Sequence, residues 1–168
     1  MHTRPEDDRF RDLALSIEYT PNDIQWFIKA FDCQKIHKKS DGNYRDNYGH
    51  SAMATVGDAV LRLIIAEYFF DRFEDKGMIT EKKARLESDN TISRVARVCG
   101  FERYYYDGSG THQDNYLPCG DKALSNQFEA VVFAIYKDLG FEAVKEWAYK
   151  WFIPIADRLS KQEFIRVN

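Results

Sequence analysis

At 168 residues, with 44% hydrophobic and 30% charged side chains, the chain has the balance of one soluble globular domain, long enough to bury a real core. A formal net charge of −3 excludes a broadly basic nucleic-acid binder, so any phosphate-binding surface must be a local concentration of Lys and Arg. Three cysteines without a C-x-x-C pair exclude a disulfide scaffold and fit reduced thiols in a reducing compartment.

The charged N-terminus lacks the apolar stretch of a secretory signal. The greasiest segment, 52–70, carries Asp58, Arg62 and Glu67, which argue against a membrane span. The expected location is the cytoplasm. Thr20 as N-cap, Pro21 at the first helical position and Asp23 in the first turn predict a helix. Its apolar face is Ile24, Phe27, Ile28 and Phe31. Residues 32–49 are polar, with Ser40, Asp41, Gly42 and Asn43, and read as a loop. A long helix is predicted over about 51–73. Gly77 then breaks the chain, and Thr80 caps a short helix carrying Lys82, Lys83, Arg85 and Leu86. Asp89 or Asn90 starts the next, with Ile92, Val95, Ala96 and Cys99 on one face and Gly100 just past its end. Residues 107–120 read as loop, as does Tyr104-Tyr105-Tyr106. A second strongly apolar helix spans about 122–139 and ends at Gly140. The last starts near Phe141, bends or stops before Pro154, and carries Trp147 and Trp151 as a core stripe. No segment of any length alternates as a strand does, so the fold class is all-α.

Two carboxylates stand out. Asp58 is the only charge between Ala52 and Leu61, and Glu129 is the only charge between Ala123 and Tyr136. Both helices are so apolar that most of their surface is expected to be buried, and a buried, unpaired carboxylate costs several kcal/mol. Three compensations are open: a local base, hydrogen bonds across helices, or a shared metal ion. Asp58 has Arg62 four residues on. Glu129 has no base three or four residues away in either direction, but Asn126 lies one turn before it and carries an amide oxygen able to ligate a hard cation. Gly57, beside Asp58, costs helix stability and points to a close approach of another group. Candidate phosphate-binding groups are Lys35, His37, Lys38 and Lys39; Lys82, Lys83 and Arg85; and Arg94 and Arg97. Each cluster alone is more often a solvated helix face or loop. His50, before the long helix, reads as a phosphate contact or as a structural histidine.

These residues resemble the ribonuclease III family. Residues His50 to Leu61, ending V-G-D-A-V-L, match its signature helix. Residues Ser125 to Gly140, S-N-Q-F-E-A-V-V-F-A-I-Y-K-D-L-G, match its second block. Asn90 to Ala96 looks like its intervening helix, and Gly108 sits in the expected loop. The likeness runs from about residue 15 to 151. It implies a single domain over 1–168 with the family's endonuclease-domain fold of six to eight helices, and without the additional double-stranded-RNA-binding domain that many members carry, as in the stand-alone Mini-III subfamily. It further implies an endoribonuclease that cuts double-stranded RNA with Mg²⁺, or Mn²⁺ in its place, and acts as a homodimer through the signature helix. Carried over position by position, Asp58 and Glu129 are catalytic metal ligands. Asn126 is an amide where the family has an acid, Ala54 replaces the acid one turn before Asp58, and Ser51 replaces the earlier signature glutamate. In Mini-III an Ala also stands at the place of Ala54. Thr55 replaces a frequent aromatic of the dimer contact and weakens that expectation. Lys82, Lys83, Arg85, Arg94 and Arg97 would grip RNA phosphates. The alternative is a catalytically impaired module that binds structured RNA or a ribonucleoprotein. A bare helical scaffold is a third reading, and it requires the basic clusters to point away from the acids.

Overall fold

The computed structural model describes residues 5–31, 36–38, 44–46, 48–104 and 120–162. Cys33, Cys119, Lys35, Lys39, Tyr105, Tyr106 and Gly108 lie outside them, as do the side chains of His37, Lys38 and His50. The architecture is all-α: α1 (Pro5–Ser16), α2 (Ile24–Ala30), α3 (Tyr48–Phe70), α4 (Lys76–Leu86), α5 (Asp89–Val98), α6 (Asp121–Leu139), α7 (Phe141–Trp147) and α8 (Ile153–Gln162). The segment read as a loop before α3 contains a small antiparallel hairpin, β1 (Ile36–Lys38) and β2 (Tyr44–Asp46), with His37 opposite Arg45. Three residues per strand are too few for alternation to be legible. No helix among the described residues is long and apolar enough to cross a membrane.

Helix α6 is the axis of the fold. Leu124, Phe128, Val131, Val132 and Ile135 are fully enclosed, with α3, α5 and α2 packed around them. Aromatic rings fill the ends of the core. Phe128 packs against Phe101 and Phe152, and Phe31 against Phe27 and Phe101. Trp147 stacks on Trp151 at 5.3 Å, as their spacing predicts, and its indole donates to Ile17 O at 2.7 Å. Cys99 is half-buried, and burial pushes its thiol well up, so its role is packing.

Several helix boundaries differ from the sequence reading, each for a physical reason. Asp23, not Thr20, caps α2, accepting from Gln25 N. The preceding turn is occupied elsewhere: Asn22 N and Asp23 N both donate to the Asp138 carboxylate at 2.8 Å, and Tyr19 Oη donates to it at 2.6 Å. Asp138→Ala is therefore expected to cost about 2 kcal/mol, since hydrogen bonds to a charged acceptor contribute about 1.5–3 kcal/mol and this one is partly exposed. Urea denaturation measures it, and an unchanged midpoint would show the turn is held by packing alone. Gly77 does not break the chain. It lies in the first turn of α4, which Asp75 caps through Met78 N. Ser88 caps α5 through Thr91 N. As expected, the α-helical run that starts at Phe141 does not continue unbroken to Pro154. Between α7 and α8 a wider π turn (Ala148–Phe152) intervenes, with Ile153 N donating to Ala148 O. The π turn absorbs the proline, which lacks a donor and crowds the carbonyl four residues back. Gly100 and Gly140 do close α5 and α6, at φ +75° and +88°.

Candidate active site at the crossing of two helices

Helices α3 and α6 meet almost backbone to backbone at Gly57. A Cβ placed there would lie 1.8 Å from Glu129 O and 2.7 Å from Glu129 C. This is the close approach that the mid-helix glycine implies. It brings Asp58, the next residue of α3, and Glu129 of α6 to the same cleft, of ≈ 420 Å³. Ser51, Thr55, Asp58 and Arg62 form a polar stripe along α3, one every three or four residues. Lys122, Asn126 and Glu129 do the same along α6. The corner between α4 and α5 closes the cleft with Glu87 and Asp89.

The two expected acids have different surroundings. Glu129 is 6% exposed and has no hydrogen bond or ion pair among the described residues. Burial first, and the nearby Asp58 second, push its carboxyl up to about 7; Lys122 and Arg62 pull the other way. Asp58 corrects the expectation of two buried acids. Its side chain is 33% exposed, and its Oδ1 accepts from Arg62 Nε at 2.7 Å, the local pair that the spacing allowed. The reason is that α3 is apolar on two faces. One packs on α6, and the other, with Val56 at 41%, Leu63 at 51% and Phe70 at 75%, is open. Arg62 also stands 3.8 Å from Glu87, which Lys83 holds at 2.7 Å. Asp89 accepts from Ser125 Oγ at 2.8 Å and Lys122 Nζ at 3.3 Å.

A family model described as Ribonuclease-III-like matches residues 36–155, the stretch that builds this crossing. The chain belongs to the ribonuclease-III-like family. A Ribonuclease 3 of Oenococcus oeni is 31% identical over 159 residues, which cover 90% of this chain and 64% of that protein. A Ribonuclease 3 of a Sulfurovum species is 31% identical over 145 residues, 84% of this chain and 60% of that one. The chain thus spans about three fifths of the length of these curated relatives. Two structures of the nuclease domain of ribonuclease III from Campylobacter jejuni share the fold. Both superpose with a TM-score of 0.66, one at 23% identity over 84% of this chain and 94% of that domain, the other at 21% over 94% and 96%.

In this ribonuclease-III-like chain the donor set suits a hard cation in part. The fit rests on Glu129, a buried carboxylate with no partner among the described residues, facing Asp58 across a polar cleft with Asn126 one turn away. Asp58 has one oxygen engaged by Arg62. Among the described residues, no three His, Cys, Asp or Glu side chains stand together closely enough to hold a metal by themselves. Water and substrate oxygens would have to complete any shell. The basic residues expected to meet RNA all have intramolecular contacts. Lys82 lies over the Phe73 ring, and Lys83 and Arg85 pair with Glu87 and Glu81. Arg94 donates to Leu159 O at 2.7 Å, tying α5 to α8. Arg97 pairs with Glu102 and Asp121, tying α5 to the start of α6. The contacts Lys83–Glu87–Arg62–Asp58 join one α4 base to the acids. Sequence reasoning did not place Glu87, Asp89, Ser125 or Lys122 at the site. The spacing of Lys122 to Asn126 and Glu129 carried a readable signal. Nothing local marks Glu87 and Asp89, which flank an ordinary helix cap.

Proposed function

We propose that this chain is a metal-dependent endoribonuclease that cuts double-stranded RNA. The observation that carries the reading is Glu129: an acid kept buried and unpaired, at a cost, facing a second acid across an open polar cleft. Such unresolved charge is what a site for a cation leaves behind. Asp58 and Glu129, with Asn126 as a neutral donor, would hold Mg²⁺, or Mn²⁺ in its place. The ion supplies an activated water and charge for the leaving oxygen of an in-line phosphodiester displacement. Lys82, Lys83 and Arg85 would meet RNA phosphates from α4. Arg94 and Arg97 would add positive charge from the positions where the fold pins them. The test is incubation with a long duplex RNA and MgCl₂. Defined products that vanish in Asp58→Asn and Glu129→Gln are expected; no cutting, or cutting indifferent to both changes, would remove the proposal. The Asp58–Arg62 pair favours a second reading, in which a guanidinium has taken over the place of the ion and the protein binds structured RNA without cutting it. Salt-sensitive RNA binding that ignores Mg²⁺ and Glu129 would establish that reading instead.

A second copy of the chain is the proposed partner along α3. Ala52, Val56, Ala59, Leu63 and Phe70 fall within one narrow arc of that helix and are exposed, an apolar stripe of the kind that marks an interface. It runs directly beside the polar stripe of the cleft. One Campylobacter jejuni structure is described by a flexible region involved in dimer formation. Leu63→Glu is expected to turn a dimer into a folded monomer by light scattering. A wild-type chain that is already monomeric would rule the pairing out. We further propose that the protein acts in the cytoplasm and that its described residues form one domain.

A further inference from the structure

Arg62 stands between two acids of the cleft. Its Nε donates to Asp58 at 2.7 Å, while a terminal nitrogen stands 3.8 Å from Glu87 Oε2. The bond to Asp58 is made side-on through one nitrogen, not through the two-pronged fork that gives an Arg–carboxylate pair its strength. Arg62 is half exposed. Glu87 is only 9% exposed and is fixed by Lys83. The guanidinium therefore has a loose hold on one acid and a rigid second acid within reach.

The charges explain why both are needed. Asp58 and Glu129 repel each other across the cleft, and Arg62 relieves that repulsion. A divalent cation at the same two carboxylates would relieve it better, but would itself repel a guanidinium lying on Asp58. Mutual exclusion follows from like charge at short range. We propose that Arg62 is a built-in counter-ion, seated on Asp58 while the cleft lacks a divalent cation and transferred to Glu87 when one binds. The inference rests on the metal-dependent reading above. Each ion that binds displaces an internal cation, so its apparent affinity reflects the difference between two occupants.

The experiment is a Mn²⁺ titration of the full chain followed by the electron paramagnetic resonance signal of the free ion, with no RNA present. Arg62→Ala is expected to bind Mn²⁺ at least about fivefold tighter than wild type, and Glu87→Gln about threefold weaker. In the double variant the Glu87→Gln effect is expected to vanish, because there is no arginine left to receive. Equal weakening by Glu87→Gln with or without Arg62 would mean that Glu87 acts through bulk charge, and would overturn the proposal. Mn²⁺ binding that requires Glu129 but is unchanged in Arg62→Ala would overturn it alone. Absence of Mn²⁺ binding in every variant would overturn it together with the metal-dependent reading.

Discussion

Gly57→Ala is expected to destabilise the protein by at least about 3 kcal/mol, and to lower its melting temperature by about 10 °C for a domain of this size. Alanine is the better helix former, by about 1 kcal/mol, so helix propensity alone predicts the opposite sign. The decisive fact is what the new methyl group meets. It would lie 1.8 Å from a carbonyl oxygen, 2.7 Å from the carbonyl carbon and 3.2 Å from Phe133 N. All three are backbone atoms of α6, so no side chain can rotate away. The two helices must separate along the largest packing surface of the fold, and the buried residues of α6 lose contacts on that side. Because Asp58 follows Gly57 and the clash is with Glu129 itself, separation also widens the distance between the two acids. Activity should fall even at temperatures where the variant remains folded. Calorimetry measures the first effect. A melting temperature within 2 °C of wild type would show that α6 yields freely, and would remove the argument that this glycine sets the site.

The same residue marks what is legible in one dimension. A glycine inside an apolar helix and a lone acid inside another are local anomalies, and both led to the crossing. Glu129 reads correctly because α6 is buried over most of its surface, so its composition and its burial agree. Asp58 reads incorrectly as buried because α3 has two apolar faces, and composition does not reveal that one of them, along Val56, Leu63 and Phe70, is open. The helix starts show the same limit at smaller scale. Thr20-Pro21 has good capping chemistry, yet Asp138, more than a hundred residues away, binds the backbone of the following turn and moves the cap to Asp23. Glu87 and Asp89 are ordinary acids around a serine cap until the α4–α5 corner folds over the cleft. Long-range partners decide these cases, and local pattern carries no trace of them.

Glu129→Gln is expected to make the protein more stable and less active at once. The carboxyl of Glu129 moves from 4.5 to about 7 on folding, chiefly through burial and then through Asp58. Its folded pKa is raised, so the native state keeps a proton that the unfolded chain has released. The contribution to stability is whole below about pH 4.5 and is lost as pH rises through about 7. Without screening this span would correspond to about 3 kcal/mol, and solvent at the mouth of the cleft reduces it to about 2. Glutamine has the same shape and no charge to desolvate. The variant should therefore match wild type near pH 4 and exceed it by about 1–2 kcal/mol at pH 8, with a flatter stability profile between them. On the proposed metal-dependent reading, cleavage of duplex RNA should fall by at least about 100-fold, since even indirect supports of a metal ligand are worth 10–100-fold. Urea denaturation across pH 4–8 and a gel assay measure the two effects separately. A variant no more stable than wild type at pH 8 would mean that the buried carboxylate is already compensated within the folded chain. In that case the cleft holds no unresolved charge to attract a cation.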